Sequence, residues 1–137
     1  MAITRTETQI TWSASSSVSV TAGGTQTSDA VTLDDTCVSA SITLKADNST
    51  TPASDDIINF WWLMSAGDPD GASTVEYDTT GHALLLATLD TSVEDPAIRT
   101  VALPSNPKRG QLYAEGSTAG TTNAITVSAT IEEQRAA

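Results

Sequence analysis

The chain has 137 residues, with 17 acidic and 6 basic side chains, a net charge of −11 and only 4% aromatic residues. That length makes one domain the simplest organisation. The charge argues against a nucleic-acid partner, because phosphate backbones are held by clustered Lys and Arg. The low aromatic content predicts a thin core of Val, Ile, Leu and Ala, which suits two sheets packed about 10 Å apart.

Residues 1–6 lack an apolar pattern and are expected to form a flexible N-terminal arm. Glu7 to Ser13 can pair as a first strand with Ile10 and Trp12 on one face. Ser15 to Thr21 alternates weakly and stops at Ala22-Gly23-Gly24-Thr25. Ser28 to Leu33 reads as a short strand closed by Asp34-Asp35-Thr36. The Val38 to Ala46 segment alternates strictly, with apolar residues at even positions and Ser, Thr or Lys at odd ones. A period of two is the pattern of a strand with one wet face.

Asp47 to Asp56 is rich in turn residues and reads as a loop. Ile57 to Met64 is a nearly continuous apolar run, expected to be a central strand covered on both sides. Within it Trp61 and Trp62 are adjacent, so they must point to opposite faces. One is expected in the core. The other is then a candidate interface residue, because Trp is enriched at binding hot spots; burial of both within the monomer is the competing reading.

Ser65 to Gly81 is a long acidic loop, and His82 to Leu89 fits either one or two helical turns or a buried strand, the strands on either side favouring the strand. Asp90 to Pro96 is a loop, and Ile98 to Leu103 a strand ended by Pro104 and Pro107. Gln111 to Glu115 and Asn123 to Glu132 complete the sheets, with the second repeating the small-hydroxyl alternation. Residues 133–137 read as a polar tail. Roughly eight or nine short strands without helix-period segments predict an all-β fold, an antiparallel β-sandwich over 7–132, with jelly-roll connections among the ways to join it.

Few constellations could carry chemistry. Asp68-Pro69-Asp70-Gly71 resembles the opening of a calcium loop, since Ca²⁺ takes several oxygens around a tight turn. The run stops short of an EF-hand, and each residue also has its own turn preference, so a turn is preferred. His82 is the sole histidine, and no nucleophile elbow or phosphate-binding loop is present. One His and one Cys cannot make an all-Cys/His zinc site. Glu76 with Asp78, and Glu94 with Asp95, read as solvated loop charges. No enzyme and no cofactor are therefore expected. Cys37 reads as a small buried hydrophobe, and Lys108-Arg109 beside Gly110 as a turn.

No segment approaches the roughly 18 to 20 apolar residues of a membrane span, and the N-terminal residues lack a secretory pattern. The chain is expected to be soluble and made in a cytoplasm without a membrane partner. Asn48-Ser49-Thr50 is accordingly read as a turn rather than a glycosylation site.

The stretch Lys45 to Asp56, the apolar strand after it, Gly67 to Gly71, Thr80 to Leu85 and Leu89 to Pro96 together resemble small virion structural proteins of tailed bacteriophages. The likeness is to head decoration, or cement, proteins. It covers roughly residues 7 to 131 and rests on turn-and-strand texture. It implies a β-rich, often homotrimeric protein on the outer capsid surface, with the major capsid protein as partner. Bridging neighbouring subunits would stabilise the shell by multivalency. Other virion β-proteins (tail, fibre or adaptor components) share the texture. A carbohydrate-binding β-sandwich is the alternative from a different class, with Trp12, Tyr77 and Tyr113 as its candidate aromatics.

Overall fold

A computed structural model describes residues 2–121 and 123–136. The described residues form ten strands: β1 (Ile3–Gln9), β2 (Val18–Val20), β3 (Thr25–Thr27), β4 (Val31–Thr32), β5 (Cys37–Asn48), β6 (Ile57–Ser65), β7 (Leu84–Asp90), β8 (Ala97–Leu103), β9 (Arg109–Gly116) and β10 (Ile125–Ala136). A single 3₁₀ turn at Thr80–His82 is the only helical element among the described residues. The strands make two antiparallel five-stranded sheets. The first runs β1-β10-β5-β8, with β2 also on β10; the second runs β3-β9-β6-β7, with β4 also on β9.

The order is that of a jelly roll. If β1 with β2, and β3 with β4, each count as one interrupted strand, the chain pairs outermost with outermost. β1 and β2 lie on β10, β3 and β4 on β9, β5 on β8, and β6 on β7. This is one long hairpin rolled into a sandwich, joined by the central pairs β10·β5 and β9·β6. The expected β-sandwich with jelly-roll connections is thus the observed architecture.

The alternation code places the core. Ile42, Leu44 and Ala46 on β5, and Ile125, Val127, Ala129 and Ile131 on β10, are buried. They face Ile58, Phe60 and Trp62 on β6 and Leu112 and Ala114 on β9 within one cluster. The Ser and Thr positions between them lie on the outer faces, as a period of two requires.

The first strand differs from the expectation. It spans Ile3–Gln9 rather than Glu7 to Ser13, because the chain turns sharply at Trp12–Ser15, whose amides and carbonyls bond reciprocally at 2.7 and 3.0 Å. Ser13 and Ala14 take φ of 48° and 68° there. Asp29 holds the turn by accepting from the Ser13 and Ala14 amides and the Thr11 hydroxyl, and the Thr11 bond leads in lowering its pKa.

The flexible arm expected at 1–6 is likewise replaced by structure, with Met1 outside the described residues. Ile3 to Gln9 pair with Ala136 to Thr130. The polar tail expected at 133–137 is, over residues 133–136, the end of β10; Ala137 lies outside the described residues. The physical reason is shared: this ribbon is held by its backbone ladder and by polar side chains, so it carries no apolar alternation. Glu133 faces inward and is only 2% exposed. It accepts from Arg135 at 2.6 Å and from the Asp34 amide at 2.8 Å.

Candidate functional site: the outer face of the second sheet

β6 lies between β9 and β7, so both of its edges are paired. Only one of its faces is buried in the core; the other is half-buried on the outside of the sheet, so the strand is not covered on both sides as expected. Trp62 points inward and is 1% exposed. Its indole lies flat on the β9 backbone at Gly110: a Cβ there would sit 2.1 Å from Cζ2 and 2.3 Å from Cε2. Only a glycine leaves room for that ring.

Trp61 points the other way and is half-buried. It is directly opposite Tyr113 on β9 and Leu85 on β7, and Tyr113 is opposite Thr27 on β3. Directly paired residues share a face, so a row Tyr113–Trp61–Leu85 crosses the outside of the sheet. Leu85 is 47% exposed at its end. The pairing slips at Phe60/Trp61, where Leu86 is the extra residue on β7. That bulge sends Leu86 against the core cluster while Leu85 stays outside. The next row is polar, with Thr88 donating to Asn59 at 2.6 Å. The Trp61 ring nitrogen is shielded from solvent and has no hydrogen-bond partner.

The other singled-out residues do not converge on a reaction centre. His82 is exposed in the 3₁₀ turn. Trp12 is 3% exposed, which removes it from any sugar-stacking platform with Tyr77 and Tyr113. Cys37 is buried, and burial leads in raising its pKa, as expected of a small core residue. Lys108 donates to the Cys37 carbonyl at 2.7 Å, while Arg109 opens β9 rather than lying in a turn. Asn48 is buried and donates to Asp56 and Thr91, so the sequon asparagine is committed to the fold. The Asp95 carboxylate accepts the Asn48 amide at 2.9 Å, a loop-holding role.

Asp68, Asp70 and Glu76 bring carboxylate oxygens within 4.8 Å of one another. The Asp68 carboxylate accepts the amides of Asp70, Ser73 and Thr74. Desolvation works to raise its pKa, but the neighbouring Asp70 carboxyl group, followed by those amides, outweighs it and brings it down. These bonds commit the Asp68 carboxylate to the turn preferred from the sequence.

One polar node escaped the sequence reading. Asp56, 2% exposed, accepts from the amides of Ala53 and Thr121, the Thr121 hydroxyl and the side chains of Asn48 and Asn123. Its own carbonyl accepts from Thr91. Burial works to raise its pKa, but these donors outweigh it and hold it at about 2. The carboxylate ties the 47–56 loop to the 117–124 loop, the backbone carbonyl adds the loop at Thr91, and both carboxylate oxygens are engaged.

No family model matches the chain, and no curated protein matches it. Among solved structures it is similar to an equine rhinitis A virus (picornavirus) capsid chain, with 12% identity, a TM-score of 0.46, and coverage of 93% of this chain and 71% of that one. A capsid chain of Helicobacter pylori bacteriophage KHP30 gives 16% identity and a TM-score of 0.45 over 95% and 93% of the two chains. A protein named FLHE gives 9% and 0.42 over the whole of both. At these identities and TM-scores the likenesses assign no role.

Proposed function

We propose that this chain is a virion structural protein of a tailed phage, of the head-decoration type. In this reading it binds the outer surface of the assembled head, bridges neighbouring major capsid subunits and carries out no catalysis. The observation that carries it is the Tyr113–Trp61–Leu85 row, an aromatic and aliphatic strip on the outside of the jelly roll. Aromatic residues flanked by polar ones are how protein contacts are anchored. Trp61 is the interface residue and Trp62 the core residue.

Three further features support a structural role. Jelly rolls serve in capsid and lectin domains alike, which is an analogy of fold. The net charge of −11 suits a protein crowded at high copy number. The buried carboxylates Asp56 and Glu133 are committed to holding loops and strand ends. A sugar-binding module is less well supported, because burial of Trp12 breaks up its aromatic set.

The test is binding of Trp61→Ala to heads of the encoding phage stripped of this chain, measured by co-sedimentation. A fall in occupancy of about tenfold or more, with the fold intact by circular dichroism, is expected of a hot spot. Occupancy equal to that of the unsubstituted chain would refute this face as the capsid contact.

A further inference from the structure

β1 is one of the two terminal strands of the first sheet, and its other side carries no strand among the described residues. We propose that β1 is a self-complementary edge, on which a second copy of this chain docks by antiparallel pairing about a two-fold axis at Thr6. The inference is independent of the virion reading.

The backbone fixes which residues can pair. The Ile10 amide donates to the Ala129 carbonyl, in the register that places Gln9 opposite Thr130. Backbone direction alternates along a strand. Thr8, Thr6 and Thr4 therefore turn their N–H and C=O groups toward β10, and Ile3, Arg5, Glu7 and Gln9 turn theirs to the open edge. A partner strand must bond to the odd-numbered set.

Charge then selects the register. With the axis at Thr6, Arg5 lies opposite the partner's Glu7, Ile3 opposite the partner's Gln9, and Thr4 opposite the partner's Thr8. All seven residues of β1 are paired, each hydrogen-bonded pair joins outward-directed groups, and both ion pairs form. Centring on Arg5 or Glu7 instead sets like charges opposite each other, which destabilises a sheet. Lone edge charges normally guard against such pairing. Here they alternate in sign so that a second copy satisfies them.

A second observation favours an incoming cation. Within the monomer Glu7 lies directly opposite Glu132 on β10, a like-charge pair on one face. Arg5 faces Gln134 and makes no ion pair among the described residues. The partner's Arg5 would flank Glu7 on its open side and relieve the repulsion. Ile3, 47% exposed, would be partly covered by the partner's Gln9. Such an isologous contact closes at two copies, whereas the trimer implied by the phage resemblance requires a head-to-tail contact.

The test is sedimentation equilibrium of the purified full chain with a charge-swap series. The unsubstituted chain is expected to show a monomer–dimer equilibrium. Arg5→Glu and Glu7→Arg, each setting two like-charge pairs in the dimer, should weaken it by about tenfold or more. The double variant should return to within about threefold of the original. Oxidation should crosslink Thr6→Cys, whose two copies meet on the axis, and not Thr4→Cys, whose copies stand about 14 Å apart along the strand. A monomer at every concentration, a trimer, a double variant as weak as the single ones, or equal crosslinking at Thr4 and Thr6 would each overturn the proposal.

Discussion

Gly110→Ala isolates the packing of Trp62 in a single methyl group. A Cβ at this position would stand 2.1, 2.3 and 2.8 Å from indole Cζ2, Cε2 and Nε1, where ordinary carbon contacts begin near about 3.5 Å. The ring would have to retreat by more than an ångström, but it is 1% exposed and packed within the core cluster. Without the clash, alanine in a strand would be better than glycine by about 0.5–1 kcal/mol. Overpacking a tight core costs about 1–3 kcal/mol, so a net loss of about 1 kcal/mol is predicted. Urea unfolding followed by circular dichroism measures it, and a double-mutant cycle identifies the cause. Trp62→Leu alone should cost about 3 kcal/mol through the cavity it opens. In that background Gly110→Ala should be stabilising by about 0.5–1 kcal/mol, giving a coupling of roughly 1.5 kcal/mol or more. If Gly110→Ala is as stable as the original, or costs the same with and without Trp62, the indole does not rest on this backbone.

Trp62→Ala should unfold the domain or cost about 3–5 kcal/mol, whereas Trp61→Ala should cost about 1 kcal/mol; equal losses in chemical denaturation would contradict the assignment of faces. Asp56 has a folded pKa of about 2, below its ordinary 3.8. Its contribution of roughly 2 kcal/mol is therefore full above the unfolded value and is lost as pH falls through the folded one. Asp56→Asn should lower stability at neutral pH and flatten the acid limb between about pH 4 and 2; an unchanged limb in acid titration would assign it to other groups. Deleting residues 1–6 removes half of the β1 ladder on β10, so it should lower the urea midpoint, an effect that loss of a detached arm would not produce.

The parts of the fold legible in the sequence are those where one face is dry. Ile42, Leu44 and Ala46, and Ile125 to Ile131, alternate because the sandwich interior lies on one side of them. Two adjacent tryptophans on a strand had to face apart, and they do. The ribbon of β1 and the end of β10 was illegible for the converse reason. Thr4, Thr6 and Thr8 lie over no core, and Glu133 is buried through ion pairing with Arg135, so the sequence there resembles a solvated tail. The row Tyr113–Trp61–Leu85 joins three strands, and a chain read from end to end does not reveal which strands become neighbours. Asp56 reads as one turn acid among many, since its donors come from residues as distant in sequence as Thr121 and Asn123.

The most direct test of the virion account is the copy number of this chain relative to the major capsid protein in purified particles, by quantitative mass spectrometry. The account predicts a ratio near one, or a simple fraction of one, as bridging of capsid subunits over the whole shell requires. A few copies per particle would move the protein to a vertex or the tail, and absence from the particle would contradict the account altogether.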